Sequence, residues 1–408
     1  MTGDATGARR RWGPALAAAA LLLAACVRLT AGLPDVLDLS MPDEANALAN
    51  GVAIVHGELP PPASSPLYAL VYGLQSLVAD DRVALYFLHQ RLMLIVAPLA
   101  LFLLFLRLGR SVPTAFALAL AFLISAPVVT ITGRVHLLAL MLVVAAVLAG
   151  LAARGRWWRF HLTAVLAMAA AYARPELAAT AVLFSGGAVL GSLRGDGRLA
   201  RRQLVAHALL LAVWVAFAAW CPLGDDSNRT WLAFGQHYAR NRLATRPEPG
   251  LSPWTDWPLV LSRDFGEADS FAAALAANPA AVARHLLTNC VHYGTELART
   301  TVLLLTPLRV PGIGPARLAA LLVLLAGLYA LTLRGRRPAF GSEARDTLLF
   351  TGAFLLPMLA GSIIIYPNRA YLLTQVPLIV GLGLALLAPR AQDPPDRHLP
   401  KAAWGAML

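Results

Sequence analysis

Long apolar stretches alternate with short polar ones along nearly the whole chain. Runs near 14–33, 88–107, 112–131, 137–153, 160–173, 177–193, 203–221, 318–333, 346–365 and 370–388 approach the length, about 20 residues, at which an α-helix crosses a bilayer. The pattern predicts an all-α polytopic membrane protein with about ten transmembrane helices. It shows no internal repeat and none of the inverted-repeat symmetry that many transporters carry.

The polar interval 34–66 interrupts this pattern after the first span. Ser40 suits an N-cap, Pro42 suits the first helical turn, and Asp43 stands three residues after the cap, so a short helix is expected to begin there. On a 3.6-residue wheel Asp43, Asn46 and Asn50 share one face, and Leu48, Val52 and Val55 share the opposite one. That is the pattern of a helix lying in a membrane interface. Gly57 and the Pro60-Pro61-Pro62 run end it, and Ser65-Pro66-Leu67-Tyr68 opens a second interfacial segment over 66–79, too short to cross.

Charge gives the pattern its orientation. The chain carries a net charge of +12, which in a soluble protein would suggest nucleic acid, but 58% of its residues are hydrophobic and 14% charged. The arginines fall in short clusters between apolar runs: Arg9-Arg10-Arg11, Arg107 with Arg110, the 154–159 cluster, the stretch from Arg194 to Arg202, and Arg334 with Arg336 and Arg337. Alternating spans put each cluster on one side, so both termini are expected in the cytoplasm and the 34–66 loop outside.

Three regions result. Residues 1–221 form an N-terminal transmembrane core that includes the first extracytoplasmic loop, 34–82. Residues 222–317 form the longest polar region, extracytoplasmic by parity, whose apolar segment Val302–Leu308 is expected to dip into the interface. Residues 318–408 supply the last spans and a short cytoplasmic tail. Cys26, Cys221 and Cys290 have no metal-ligand spacing, and Cys221 and Cys290 both reach the oxidising side, where pairing is chemically open to them.

A charged side chain within or beside a span is costly, by about 2.5–3.5 kcal/mol at a helix centre, so each one marks a candidate site. Asp43, Glu44, Arg91, Arg134, His136, Arg174, Glu176 and Arg369 all fall at the expected outer ends. Acids facing several guanidiniums at a membrane surface suit a lipid-linked phosphate: arginine grips phosphate bidentately, and a carboxylate takes a proton from an attacking hydroxyl. Each residue also has a plainer reading. Asp43 is a capping residue, Arg174 and Glu176 pair across Pro175, Arg134 and Arg369 touch lipid headgroups, and Arg91, beside His89 and Gln90, is a contact within the bundle. His56 and His136 belong to no ligand pattern, so no metal is expected.

The order of these features resembles the GT-C superfamily of membrane glycosyltransferases, the group with the protein O-mannosyltransferases and lipid A aminoarabinose transferases. An arginine-led first span is followed by Met41-Pro42-Asp43-Glu44-Ala45-Asn46 and a downstream Gly57-Glu58-Leu59-Pro60, similar to the family's Asp-Glu-Ala loop with its Gly-x-x-Pro. Ser65-Pro66-Leu67-Tyr68 is similar to a Pro-Pro-Leu-Tyr, and Gln90-Arg91-Leu92 to the Arg-Leu that opens the next span. Gly133-Arg134 and Ala173-Arg174-Pro175-Glu176 fall where relatives carry an outer-loop Arg and an Arg-Pro-Glu. Coverage is best over 10–190. Ser65 departs from the first proline of its motif, and the histidine usual just before it is absent.

The resemblance implies a GT-C-like bundle with interfacial helices in the first loop, in a bacterial cytoplasmic membrane. It implies an inverting transfer of a sugar from a polyprenyl-phosphate donor to an extracytoplasmic glycan, lipid or protein acceptor, without cofactor or metal. Asp43 would be the general base, with Glu44 beside it positioning acceptor or sugar. Arg134, Arg174 and Arg369 would hold the donor phosphate, with Arg91, His136, Glu176 and Asn46 in support. Against this stand a transporter or flippase of a lipid-linked or anionic solute, which would also gather arginines about a cavity, and a non-catalytic scaffold of the same fold.

Overall fold

A computed structural model describes residues 5–36, 42–58, 65–108, 110–125, 128, 134–154, 156, 158–193, 197–220, 228–305 and 342–387. Among the described residues the chain is helical, with no strand. Seven helical stretches among the described residues are long and apolar enough to cross a membrane: Gly13–Asp35, Arg82–Arg107, Val135–Ala152, Pro175–Leu193, Arg201–Ala219, Ala344–Ile364 and Arg369–Leu386. Two further apolar helices, Val112–Leu123 and Arg159–Ala171, coincide with expected spans but are shorter. The span expected over 318–333 lies outside the described residues.

The elements are α1 (Ala5–Thr30), α2 (Leu33–Val36), α3 (Pro42–Val55), α4 (Pro66–Ser76), α5 (Arg82–Arg107), α6 (Val112–Leu123), α7 (Val135–Ala152), α8 (Arg159–Ala171), a 3-10 turn at Pro175–Leu177, α9 (Ala178–Leu193) and α10 (Gly197–Trp220). They continue as α11 (Asn228–Thr245), α12 (Trp257–Phe265), α13 (Phe271–Ala277), α14 (Pro279–Leu305), α15 (Ser342–Ile364) and α16 (Arg369–Leu387). Local chemistry sets several starts. Asp81 caps α5, its carboxylate accepting from the Ala84 N–H at 2.8 Å, which moves the helix start ahead of the expected residue 88. Ser111 caps α6 with Pro113 in its first turn.

One apolar cluster joins α5, α7, α8, α15 and α16 around Leu94, Phe102, Val143, Ala167, Phe354 and Leu372. Lipid tails are as apolar as these side chains, so close fit rather than water exclusion holds such helices together. Buried Ala164, Ala167, Ala170 and Ala171 supply the fit on α8, and on α7 Gly150 lets the Phe350 ring approach to 2.2 Å from where a Cβ would stand. By contrast α10 leaves Leu209, Val213 and Val215 exposed, as a lipid-facing helix does.

The 222–317 region holds more order than its polar composition suggested. Helices α11 to α14 gather around their own core of Phe234, Tyr238, Val260, Leu261, Phe265 and Val282. The far end of α14 leaves that core: Leu304 is buried in the main cluster beside α5 and α16, and Val302 is buried with it. The expected dip of this segment thus begins as the end of a long helix, and residues 306–308 lie outside the described residues. Where α14 passes the end of α15, the Asn289 amide donates to the Ile363 carbonyl at 2.8 Å and to that of Ile365 at 3.1 Å. His285 Nε2–H donates to the Ile364 carbonyl at 3.1 Å. These bonds satisfy carbonyls that a helix C-terminus leaves without intrahelical partners.

Candidate functional site

Helices α3 and α4 form a hairpin whose axes meet at two glycines. A Cβ on Gly51 would stand 2.5 Å from the Ala69 carbonyl oxygen and 2.5 Å from the Tyr72 Cβ, and one on Gly73 would stand 2.8 Å from the Gly51 oxygen. The buried stripe of α3 is therefore Glu44, Ala47, Leu48 and Gly51, the i, i+3, i+4, i+7 face. This differs from the expected apolar face: Leu48 is buried and Val52 half-buried, but Val55 is exposed, because α4 covers the Glu44–Gly51 stripe.

Close approach brings the α4 tyrosines onto Glu44. Tyr68 donates a very short hydrogen bond to Glu44 Oε1, and Tyr72 donates to the same oxygen at 2.5 Å. The Gln90 amide of α5 donates to Oε1 at 3.5 Å, and the Arg134 backbone N–H, at the head of α7, donates to Oε2 at 3.3 Å. Gln90 in turn accepts a short bond from Arg134 Nε, while Nη1 donates to the Val128 carbonyl at 2.6 Å. Arg134 is wholly buried and Glu44 nearly so. Burial pushes the Glu44 carboxyl above its ordinary range, against the tyrosine bonds and the nearby guanidinium, which pull it down. Behind them His89 lies 2.9 Å from the Tyr68 hydroxyl and 3.0 Å from Gln75 Oε1, with its ring stacked on Tyr72. A carboxylate holding four donors is committed to its surroundings. Glu44 fastens α3, α4, α5 and α7 to one another.

A second cluster lies at the same end of the bundle. Arg174, just after α8, donates from Nε and Nη2 to Glu176 at 2.8 and 2.5 Å. Its Nη1 is 3.0 Å from His136 Nδ1 on α7, and its guanidinium lies 4.3 Å above the Tyr371 ring on α16. Thr374 of α16 donates to the His136 carbonyl at 3.1 Å, and the Ser65 hydroxyl, at the start of α4, donates to the Ala173 carbonyl at 3.3 Å. These links tie the second cluster to the α3–α4 hairpin. At the head of α16, Arg369 sits 3.5 Å from Glu296, which Arg299 also contacts at 3.4 Å, and about a third of the Arg369 side chain is exposed.

The residues expected at the outer rim thus fall into linked groups. Glu44 and Arg134 meet in one, Arg174, Glu176 and His136 meet in another, and Arg369 joins Glu296 in a third. Arg91 is half-buried on α5, its Nε without a hydrogen-bond partner among the described residues, and Asn46 is exposed on α3. Asp43 belongs to α3, but its side chain lies outside the described residues, as does Cys221; Cys290 is exposed and has no disulfide partner among the described residues. Among the described residues no three His, Cys, Asp or Glu side chains are grouped to hold a metal ion.

Sequence reasoning passed over Tyr72, Tyr371 and Glu296, and gave Tyr68, His89 and Gln90 no role. The i, i+4 spacing of Tyr68 and Tyr72 on an apolar helix, four residues apart like the two ends of one turn, was the available signal. Chemically, the assembly offers one rigid, four-donor carboxylate beside a buried guanidinium whose Nη2 has no hydrogen-bond partner among the described residues and, at its margin, a partly exposed guanidinium suited to an anion. No family model, curated protein or solved structure matches the chain.

Proposed function

We propose that the protein is a membrane glycosyltransferase of GT-C type, moving a sugar from a polyprenyl-phosphate donor to an acceptor on the outer face of the cytoplasmic membrane. The observation that carries this reading is the Glu44 centre. It holds the loop helix that begins Pro42-Asp43-Glu44 rigidly on the end of the bundle where Arg174, His136 and Arg369 also gather. A base must be held to within fractions of an ångström of its target, and a hairpin locked by four hydrogen bonds provides such a mount.

In this reading the Asp43 carboxylate takes the proton of the acceptor hydroxyl as that oxygen attacks the anomeric carbon. The bond from that carbon to the phosphate oxygen breaks, its electron pair leaves with the lipid phosphate, and the configuration inverts. Arg369 receives the growing phosphate charge directly, and Arg174 and the buried Arg134 add to the field. Glu44 is a positioning residue. The ten-span topology with both termini inside, and selection of the acceptor by 222–317, belong to the same proposal.

The test is made on full-length protein in liposomes, with undecaprenyl-phosphate-linked hexoses and pentoses as labelled donors and native mass spectrometry to count bound undecaprenyl phosphate. Wild type and Asp43→Asn are expected to retain the lipid, Arg369→Ala to lose it, and Asp43→Asn to lose transfer by about 10²–10⁴-fold. Undiminished transfer by Asp43→Asn, or no lipid retained by folded wild type, would overturn the reading in favour of a transporter or scaffold.

A further inference from the structure

Away from the Glu44 centre, α11 and α14 enclose a polar cleft. Tyr238, Asn241, Arg242 and Thr245 of α11, with Arg246 just beyond its end, face Ala281, Arg284, His285 and Thr288 of α14 across a small open cleft. The floor is neutral and fixed. Buried Asn241 donates to His285 Nδ1 at 3.1 Å and to Asn289 Oδ1 at 2.8 Å, and burial pushes His285 down to about 4, so its imidazole carries no charge at neutral pH. Of the three guanidiniums, Arg242 is neutralised by Glu248 at 3.1 Å and Asp264 at 3.1 Å, and Asp264 also accepts from the Tyr238 hydroxyl at 2.5 Å. Glu248 is further engaged by Arg263. Arg246 and Arg284 are exposed and form no ion pair among the described residues. Two uncompensated, fork-shaped cations over a neutral floor are a receptor for a tetrahedral oxyanion.

A second observation gives the anion its source. Residues i+3 and i+7 from Arg284 on the same helix face are Leu287 and Val291, and both are strongly exposed, at 68% and 69%. At 1.5 Å of rise per residue they stand roughly 5 and 10 Å further along α14, in the direction in which that helix runs on into the main core at Leu304. His285 and Asn289, on the same turns, contact the last carbonyls of α15, where a candidate span ends. Basic groups at the mouth of a span, with an apolar strip leading inward from them, match the head and tail of a lipid.

We propose that this cleft binds the phosphate of a lipid, its headgroup between Arg246 and Arg284 and a chain along Leu287 and Val291. The site rests neither on Asp43 nor on sugar transfer, and it stands or falls apart from that reaction. The test is native mass spectrometry of the full chain titrated with dioleoyl phosphatidic acid. Arg246→Gln/Arg284→Gln is expected to weaken the tightest binding event at least tenfold and Leu287→Ser/Val291→Ser severalfold, whereas Arg201→Gln/Arg202→Gln, which removes the same charge from the exposed start of α10, changes it less than threefold. Competition by inorganic phosphate, with no effect of the Leu287 and Val291 substitutions, would keep the phosphate site and identify its ligand as a soluble one. Equal weakening by both arginine pairs, or by neither, would overturn the site and leave only general attraction between a cationic protein and anionic lipid.

Discussion

Replacing Gly51 by alanine is the sharpest probe of how the first loop is mounted. The new methyl carbon would stand 2.5 Å from the Ala69 oxygen and from the Tyr72 Cβ, and 2.9 Å from the Gly73 nitrogen. Ordinary contact begins near 3.4 Å, so α3 and α4 must part by about 0.9 Å at the crossing, and backbone atoms on both sides leave no flexible side chain to yield. Overpacking of this kind costs about 1–3 kcal/mol. The parting also draws Tyr72 from Glu44, and a hydrogen bond to a charged group contributes about 1.5–3 kcal/mol, of which part is lost. Against this, alanine is favoured over glycine within a helix by about 1 kcal/mol. The expected net is a destabilisation of about 1–3.5 kcal/mol.

Gly294 of α14 is the matched control, since a Cβ there meets nothing within 4 Å and only the helix preference remains. Gly294→Ala is expected to leave stability unchanged or raise it by up to about 1 kcal/mol. Reversible unfolding in mixed micelles, followed by tryptophan emission, gives both numbers on the full chain. A Gly51→Ala protein as stable as Gly294→Ala would refute the close-crossing account, and with it the view that the hairpin is what positions Glu44.

Two other outcomes follow from the same contacts. Because burial raises the Glu44 carboxyl in the folded state, the fold binds that proton more tightly than the unfolded chain does. The protein should therefore gain stability as pH falls from 7 toward the unfolded carboxylate value of about 4.3, and lose it as pH rises; Glu44→Gln should remove that component of the pH profile. Arg174→Gln is expected to cost about 1.5–3 kcal/mol by removing both close bonds to Glu176 and the contact with His136, while Arg369→Gln, at a more exposed guanidinium with a single 3.5 Å contact to Glu296, should cost no more than about 1 kcal/mol, both read by the same unfolding titration.

The sequence by itself determined the membrane character and nearly every helix outside 222–317. A continuous apolar run has only one way to satisfy its backbone in lipid, so length and composition suffice to place α5, α7, α9, α10, α15 and α16. Arginine at the ends of those runs marked Arg134, Arg174 and Arg369 as unusual, because a guanidinium near lipid needs a reason. Which partners answer each of them could not be read. Glu44 is adjacent to Asp43 in sequence, yet its role depends on tyrosines two dozen residues later, an amide on α5 and a backbone N–H on α7, all brought together by the Gly51–Gly73 crossing. Arg174 and Glu176 were legible as a pair since they flank one proline, whereas Tyr371 and Glu296 come from segments that only the packing of α14 and α16 carries to the rim. The helices of 222–317 were missed for a related reason: their apolar residues are widely spaced in a polar stretch, and their core exists only once four helices fold against one another. Periodicity is a local property and survives in one dimension; the compensation of a buried charge is a property of neighbours in space, and only the tertiary structure decides it.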